Sequence, residues 1–214
     1  MLMKKYRLLQ LLLIFVVSNI LGIGIDIITY GMISNGVAFY IMLTIGIMIY
    51  SVYNEVKWKD WLRIPDVGGI PRIIVSWVLI LLMIVLAVAK NVIGLKMGHI
   101  ESFDFKFHNF IRSVCLAPII EELINRGIIV DILKEKHGNA FTIVVSAIIF
   151  YVMHFDPKNI NALIFGIILG WLVIKAKSIV PGIIMHAVWN LVIFCMPLIA
   201  SILAIVLLRL EIFQ

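Results

Sequence analysis

Charge is scarce in this chain, and that scarcity excludes more than it allows. Only 14% of the 214 residues are charged, against 63% hydrophobic, and the mean hydropathy is +1.13. A soluble domain of this length is excluded by that balance, and the length excludes a protein with one anchoring helix. Cysteine is nearly absent. Cys115 and Cys195 both fall in apolar runs, so neither a disulfide framework nor a C-x-x-C metal site is available, and both read as small buried hydrophobes. The sequence also lacks an H-E-x-x-H pair, a serine or cysteine nucleophile with a paired base, a low-complexity linker, a soluble repeat and a second domain. Its net charge of +6 comes from Lys and Arg in short loops between apolar runs. That pattern belongs to a polytopic membrane protein in a lipid bilayer and not to a nucleic-acid-binding face.

What is present is apolar sequence long enough for many helices. Runs at about 8–28, 37–52, 73–95, 109–133, 140–155, 159–174, 181–196 and 197–210 predict an all-α, polytopic membrane helix bundle with about eight transmembrane helices, residues 1–214 forming a single integral membrane domain. The first run follows basic residues as a signal peptide would. No small-x-small cleavage site comes after it, so a retained helix is expected. Trp58 and Trp61, beside Lys57, Lys59 and Arg63, suit a segment anchored at headgroup level. Gly166 and Gly170 have the spacing of a close helix contact. Eight helices put both ends of the chain on one side. That side collects Lys4, Lys5, Arg7, Lys57, Lys59, Arg63, Arg72, Lys134, Lys136, Lys175, Lys177 and Arg209. The other collects Lys90, Lys96, Lys106, Arg112 and Lys158. The asymmetry predicts cytoplasmic N- and C-termini in the plasma membrane.

Against this background the polar residues inside the apolar runs stand out. The stretch A-P-I-I-E-E-L-I-N-R-G-I-I-V-D, Ala117–Asp131, holds Glu121, Glu122 and Arg126 at membrane depth, where each charge costs about 2.5–3.5 kcal/mol on insertion scales. Glu122 and Arg126 are i,i+4 neighbours and can neutralise each other. Glu121 points about 100° away around the helix and is left for chemistry. His154 lies near a helix end, and His186 and Asn190 share a face of another helix. Polar groups in lipid must find one another, so these six are expected to meet. A carboxylate beside imidazoles suits a water-activating general base. A histidine and an asparagine on one face suit donation to an oxyanion. The reaction class built from such parts is amide hydrolysis by activated water.

Three segments carry a resemblance. E-E-L-I-N-R-G at Glu121–Gly127, F-Y-V-M-H at Phe150–His154 and S-I-V-P-G-I-I-M-H-A-V-W-N at Ser178–Asn190 resemble the three motifs of the CPBP family, the CAAX proteases and bacteriocin-processing membrane proteins also called Abi. The family-like catalytic core covers about residues 109–195. An aromatic residue usually precedes the motif arginine, where Asn125 stands here. The resemblance implies an intramembrane, glutamate-dependent endopeptidase acting on a membrane-associated peptide or protein, such as a C-terminal tail, in peptide maturation or bacteriocin self-immunity. Position by position, Glu121 and His154 would activate water, His186 and Asn190 would hold the oxyanion, and Glu122 and Arg126 would support them. No cofactor is favoured. A zinc ion on His154, His186 and Glu121 is the alternative. Two other classes compete: a non-catalytic bacteriocin-immunity or scaffold membrane protein, which a missing motif residue would favour, and a proton-coupled carrier, which inverted repeats would favour. Neither feature is found.

Overall fold

The computed structural model describes residues 6–65, 69–96, 105–154 and 159–209, and those residues form a bundle of helices. In chain order these are α1 (Arg7–Ile28), α2 (Asn35–Tyr53), a short α3 (Trp58–Trp61), α4 (Ile70–Lys96), α5 (residues 107–134), α6 (Asn139–Met153), α7 (Ile160–Ala176) and α8 (Val180–Arg209). The all-helical membrane bundle expected from the sequence is therefore present. Four helices are long and apolar enough to cross a membrane, Arg7–Ile28, Gly36–Tyr53, Ile70–Gly94 and Val180–Leu203, and two shorter ones are apolar. Their outward faces are bare aliphatic side chains, among them Leu12, Leu13, Ile20, Leu81, Leu82 and Leu86. Such a surface is far larger than soluble proteins leave open to water, and it fits a hydrocarbon solvent.

The count of eight spanning helices is corrected. The seventh and eighth expected helices are one, because α8 runs unbroken for 30 residues through Pro197. Proline removes one backbone donor, which in water reads as a helix boundary. Cys195-Met196-Pro197-Leu198 supplies no polar or glycine residue to make a turn, and an apolar environment punishes exposed backbone more than a lost bond. The Ser201 hydroxyl donates to the Pro197 carbonyl at 2.8 Å one turn on. The merger also removes the premise that put both ends of the chain on one side. Arg7 and Val180 lie at the same end of the bundle, so Arg209 lies at the other, about 45 Å along α8. One cation thereby changes sides and the charge asymmetry persists. Lys4, Lys5 and Lys158 lie outside the described residues, as do the expected helix ends at residues 155 and 210.

The bundle has two apolar centres, and the polar site lies where they meet. One joins Leu11, Leu43 and Ile47 of α1 and α2 to Ile120, Ile124 and Ile128 of α5. The other surrounds α7, where Phe165, Leu169 and Leu172 pack with Ile80 of α4, Phe150 of α6 and Met185 of α8. The spacing of Gly166 and Gly170 is only half used. A Cβ at Gly166 would stand 3.2 Å from the Ala147 backbone, whereas one at Gly170 would make ordinary contacts. The α6–α7 approach thus depends on Gly166.

The segment after α2 is stitched to the start of α8. Ile179 N–H donates to the Trp61 carbonyl at 2.9 Å, Ser178 Oγ–H to the Arg63 carbonyl at 2.6 Å, and Arg63 Nε–H to the Lys177 carbonyl at 2.8 Å. Trp58 and Trp61 pack against the α1–α2–α5 core, so they are core-covering residues as well as membrane-end aromatics. A Cβ at Gly127 would come within 2.6 Å of the Trp61 ring. Gly127→Ala is therefore expected to push the indole off α5 and cost about 1–3 kcal/mol of stability, the usual penalty of overpacking. A lowered unfolding temperature in detergent checks it.

Candidate active site

Helix α5 positions both glutamates, and its geometry is irregular around them. The six residues Ala117–Glu122 are α-helical, with wider π-type turns before them at Ile111–Leu116 and after them at Leu123–Ile129. Pro118 cannot donate a backbone bond and crowds the carbonyl four residues earlier, and the widened turn sits on that side. Wide turns of this type recur at functional sites because they re-aim side chains that a regular helix would fix.

Glu122 and Arg126 form the pair expected from their spacing. Glu122 Oε2 lies 3.3 Å from Arg126 Nε, and both side chains are wholly excluded from solvent. The guanidinium is also tied to α7, where Nη2 donates to the Gly166 carbonyl at 3.1 Å, and it lies 4.4 Å over the Phe150 ring. A cation in such a setting gains from the carboxylate, the carbonyl and the aromatic face together. Asn125, the departure from the family pattern, is fully buried. Its Nδ2 donates to the backbone carbonyl of Glu121 at 3.0 Å. It therefore braces the helix and leaves the carboxylate of Glu121 alone.

His186 connects the two glutamates. Its Nδ1 lies 3.1 Å from Glu122 Oε1, and its Nε2 lies 3.9 Å from Glu121 Oε2. The first is a hydrogen bond and fixes the ring. The second is too long for one and marks an electrostatic neighbour. The other oxygen of Glu121 accepts a hydrogen bond from the Tyr40 hydroxyl of α2. His154 ends α6, and its Nδ1 sits 2.8 Å from the Phe150 carbonyl. A carbonyl only accepts, so Nδ1 carries the proton and Nε2 is the free nitrogen in the neutral ring. The Phe150 ring lies against both imidazoles, 4.5 Å from His154 and 5.6 Å from His186. Asn190 Nδ2 donates to the Ser113 carbonyl at 2.7 Å, which leaves its second N–H and its oxygen.

Glu121, His154 and Asn190 line one cavity of about 610 Å³, with Tyr40, Arg112 and Trp189 among the other walls. His186, only 2% exposed, is not in that lining. It stands next to Glu121 and is held there by Glu122. Four of the six expected residues, Arg126, Glu122, His186 and Glu121, thus form one contact chain that reaches the cavity, and His154 and Asn190 share the cavity wall. Zinc would need His154, His186 and Glu121 to converge. Among the described residues no group of three histidine, cysteine, aspartate or glutamate side chains converges to hold a metal ion. Both imidazoles commit Nδ1, to Glu122 and to the Phe150 carbonyl, and leave Nε2 as the nitrogen open to a ligand.

Sequence reasoning missed Tyr40 and Arg112. Tyr40 is one of three phenols in a mostly apolar helix and lies 81 positions from its partner. Its only advance signal was that a buried hydroxyl needs an acceptor. Arg112 falls in the expected helix at 109–133 and is tallied there only among the charges of one membrane side, whereas the first π-type turn of α5 carries it into the cavity wall.

Residues 104–192 match the family model of Rce1-like proteins, described as type II CAAX prenyl endopeptidases Rce1-like. No curated protein and no solved structure matches the chain. The matched residues take in Glu121, Glu122, Arg126, His154, His186 and Asn190, so the resemblance read from the three motifs holds, and over this stretch the chain is similar to the CAAX-type proteases of membranes.

Proposed function

We propose that this integral membrane protein is an endopeptidase that hydrolyses a peptide bond with water activated by Glu121. The observation that carries the reading is the single cavity walled by Glu121, His154 and Asn190, with His186 against Glu121. Tyr40 holds one oxygen of Glu121, which leaves the other to take a proton from water lying between it and His154. Attack on the scissile carbonyl moves negative charge to its oxygen. The second N–H of Asn190 can donate to that oxygen, and His186 can do so through Nε2 when both ring nitrogens carry protons, with Glu122 compensating the charge. The proton taken by Glu121 then passes to the leaving amine. Arg126 holds Glu122, and Glu122 holds His186, so the supporting pair acts by orientation.

The substrate class is a membrane-associated peptide or protein, with a C-terminal tail, prenylated or not, as the form the family description suggests. The basic end of the bundle, with Arg7, Lys57 and Lys177, is assigned to the cytoplasm on charge asymmetry, in the plasma membrane. The chemistry is metal-independent. The test is cleavage of lipidated and unlipidated peptides by the purified protein in liposomes, with product masses read directly and metal content measured on the same sample. Cleavage that survives chelation, in protein with far less than one zinc per chain, is expected. One zinc lost and restored together with activity overturns the metal-free assignment.

A further inference from the structure

We propose that Asn19 of α1 binds the main chain of the substrate beside the bond that is cut, so that the cavity selects an unwound stretch of peptide. The inference rests on the peptidase reading above and adds how the substrate is gripped. Asn19 and Phe15 are i,i+4 neighbours on one face of α1, and both line the cavity that holds Glu121. A primary amide inside an apolar helix is costly in lipid unless something bonds it. Gln10, the other amide of α1, accepts from Asn54 Nδ2 at 3.1 Å. The Asn19 side chain has no hydrogen-bond partner among the described residues. Its donors and its carbonyl are therefore open to a ligand in the cavity.

Depth sets that amide level with the reacting carboxylate. Arg7 of α1 bonds Glu135 at the end of α5 at 2.8 Å, so the two helices share a level there. Asn19 lies twelve positions after Arg7 and Glu121 fourteen before Glu135, about 18 Å and 21 Å along their helices. The two residues are therefore within about one turn of the same depth, on different walls of one cavity. The substrate supplies the rest of the argument. A peptide that meets the site from lipid as a helix has its backbone groups paired internally, and it must open a turn to lay one bond against Glu121. Opening leaves N–H and C=O groups unpaired in an apolar setting, which is expensive. A primary amide carries the donor and the acceptor of a peptide group, so Asn19 can replace both lost bonds at one residue whatever its side chain.

A backbone-ester scan tests this. The lipidated tail peptide is remade with an ester in place of one amide at a time along its length, the cut bond excepted. An ester removes one N–H and keeps the shape. Wild type should lose about 3–10-fold in kcat/KM at one position, the range of one neutral hydrogen bond. That position should lie within about two residues of the cut, the extended length that spans one helical turn. Asn19→Leu should slow cleavage of the all-amide peptide by at least that factor and abolish the difference between amide and ester there. It should melt no lower than wild type, because an aliphatic side chain replaces an unpaired amide in an apolar helix. Asn19→Gln keeps the amide on a longer stem and should retain part of the ester sensitivity. Equal tolerance of every ester by wild type overturns the proposal, and so does ester sensitivity that survives in Asn19→Leu. A lower melting temperature in Asn19→Leu with equal losses for amide and ester peptides marks a structural role. A dimer lost in Asn19→Leu with the ester pattern unchanged marks a helix–helix contact. Either result overturns the proposal as well. If wild type cuts no peptide, the peptidase reading fails, and binding to Glu121→Gln still decides this one: weaker binding of one ester peptide, abolished when Asn19→Leu is added, supports it, and equal binding of all ends it.

Discussion

Glu121→Gln should reduce peptide cleavage by at least 10²–10⁴-fold, the span of a positioned general base, while the protein folds and melts as the wild type does. The substitution is nearly isosteric. Its side-chain carbonyl still accepts from Tyr40, which holds one Glu121 oxygen, so the side chain stays in place. What it loses is the oxygen that takes the proton. At the same time it removes a negative charge from beside Glu122, 3.9 Å from His186 Nε2, and relief of that crowding offsets the lost attraction to the imidazole. Stability and turnover should therefore separate in this variant. Initial rates and detergent melting curves on one preparation measure both. Cleavage within a few-fold of wild type would remove Glu121 from the mechanism, whatever the melting curve did.

The membrane class was legible because composition alone decides it: too little charge and too much aliphatic surface for water. The catalytic helix was legible because two glutamates and an arginine at membrane depth demand partners, and i,i+4 spacing named the Glu122–Arg126 pair. The helix count was less legible, since Pro197 has opposite meanings in water and in an apolar setting, and sequence alone does not say which applies inside a long apolar run. The partner of His186 was not legible either. Helical spacing groups His186 with Asn190, yet a tertiary contact aims the ring at Glu122 and only Asn190 joins the cavity wall. Periodicity tells which side chains share a face, not which neighbour that face meets. The first two helices carried no motif, and α2 holds three tyrosines, Tyr40, Tyr50 and Tyr53, so nothing in the sequence marked Tyr40 as the one whose hydroxyl holds Glu121. Asn125 shows the converse. It departs from the family pattern, but its bond to the Glu121 carbonyl makes it a local brace that leaves the chemistry alone.

The two glutamates should differ most sharply in stability. Glu122→Gln and Arg126→Gln are each expected to destabilise the protein by about 3–5 kcal/mol, because each strands the partner charge in a fully buried site. That corresponds to a fall on the order of 10 °C in melting temperature for a chain of this size. Arg126→Gln should be at least as damaging, since it also breaks the bond to the Gly166 carbonyl and the contact with the Phe150 ring. Removing both charges together should cost clearly less than the sum of the single changes, which is the signature of coupled residues. Activity should fall in both single variants, for a reason unlike that of Glu121→Gln. Glu122 is the acceptor for His186 Nδ1 at 3.1 Å, so without its charge the imidazole loses the counter-charge for its doubly protonated form, and with Arg126 gone the carboxylate that orients it is itself unheld. Glu122→Gln should retain more activity than Glu121→Gln despite folding less stably, because an amide oxygen still accepts from Nδ1. Parallel melts of the three single variants and the double variant, with rates on the same samples, separate the roles. If all three single variants lose equal stability, the division between a supporting and a reacting glutamate fails, and if Glu122→Gln is the less active of the two glutamate variants, the two roles are reversed.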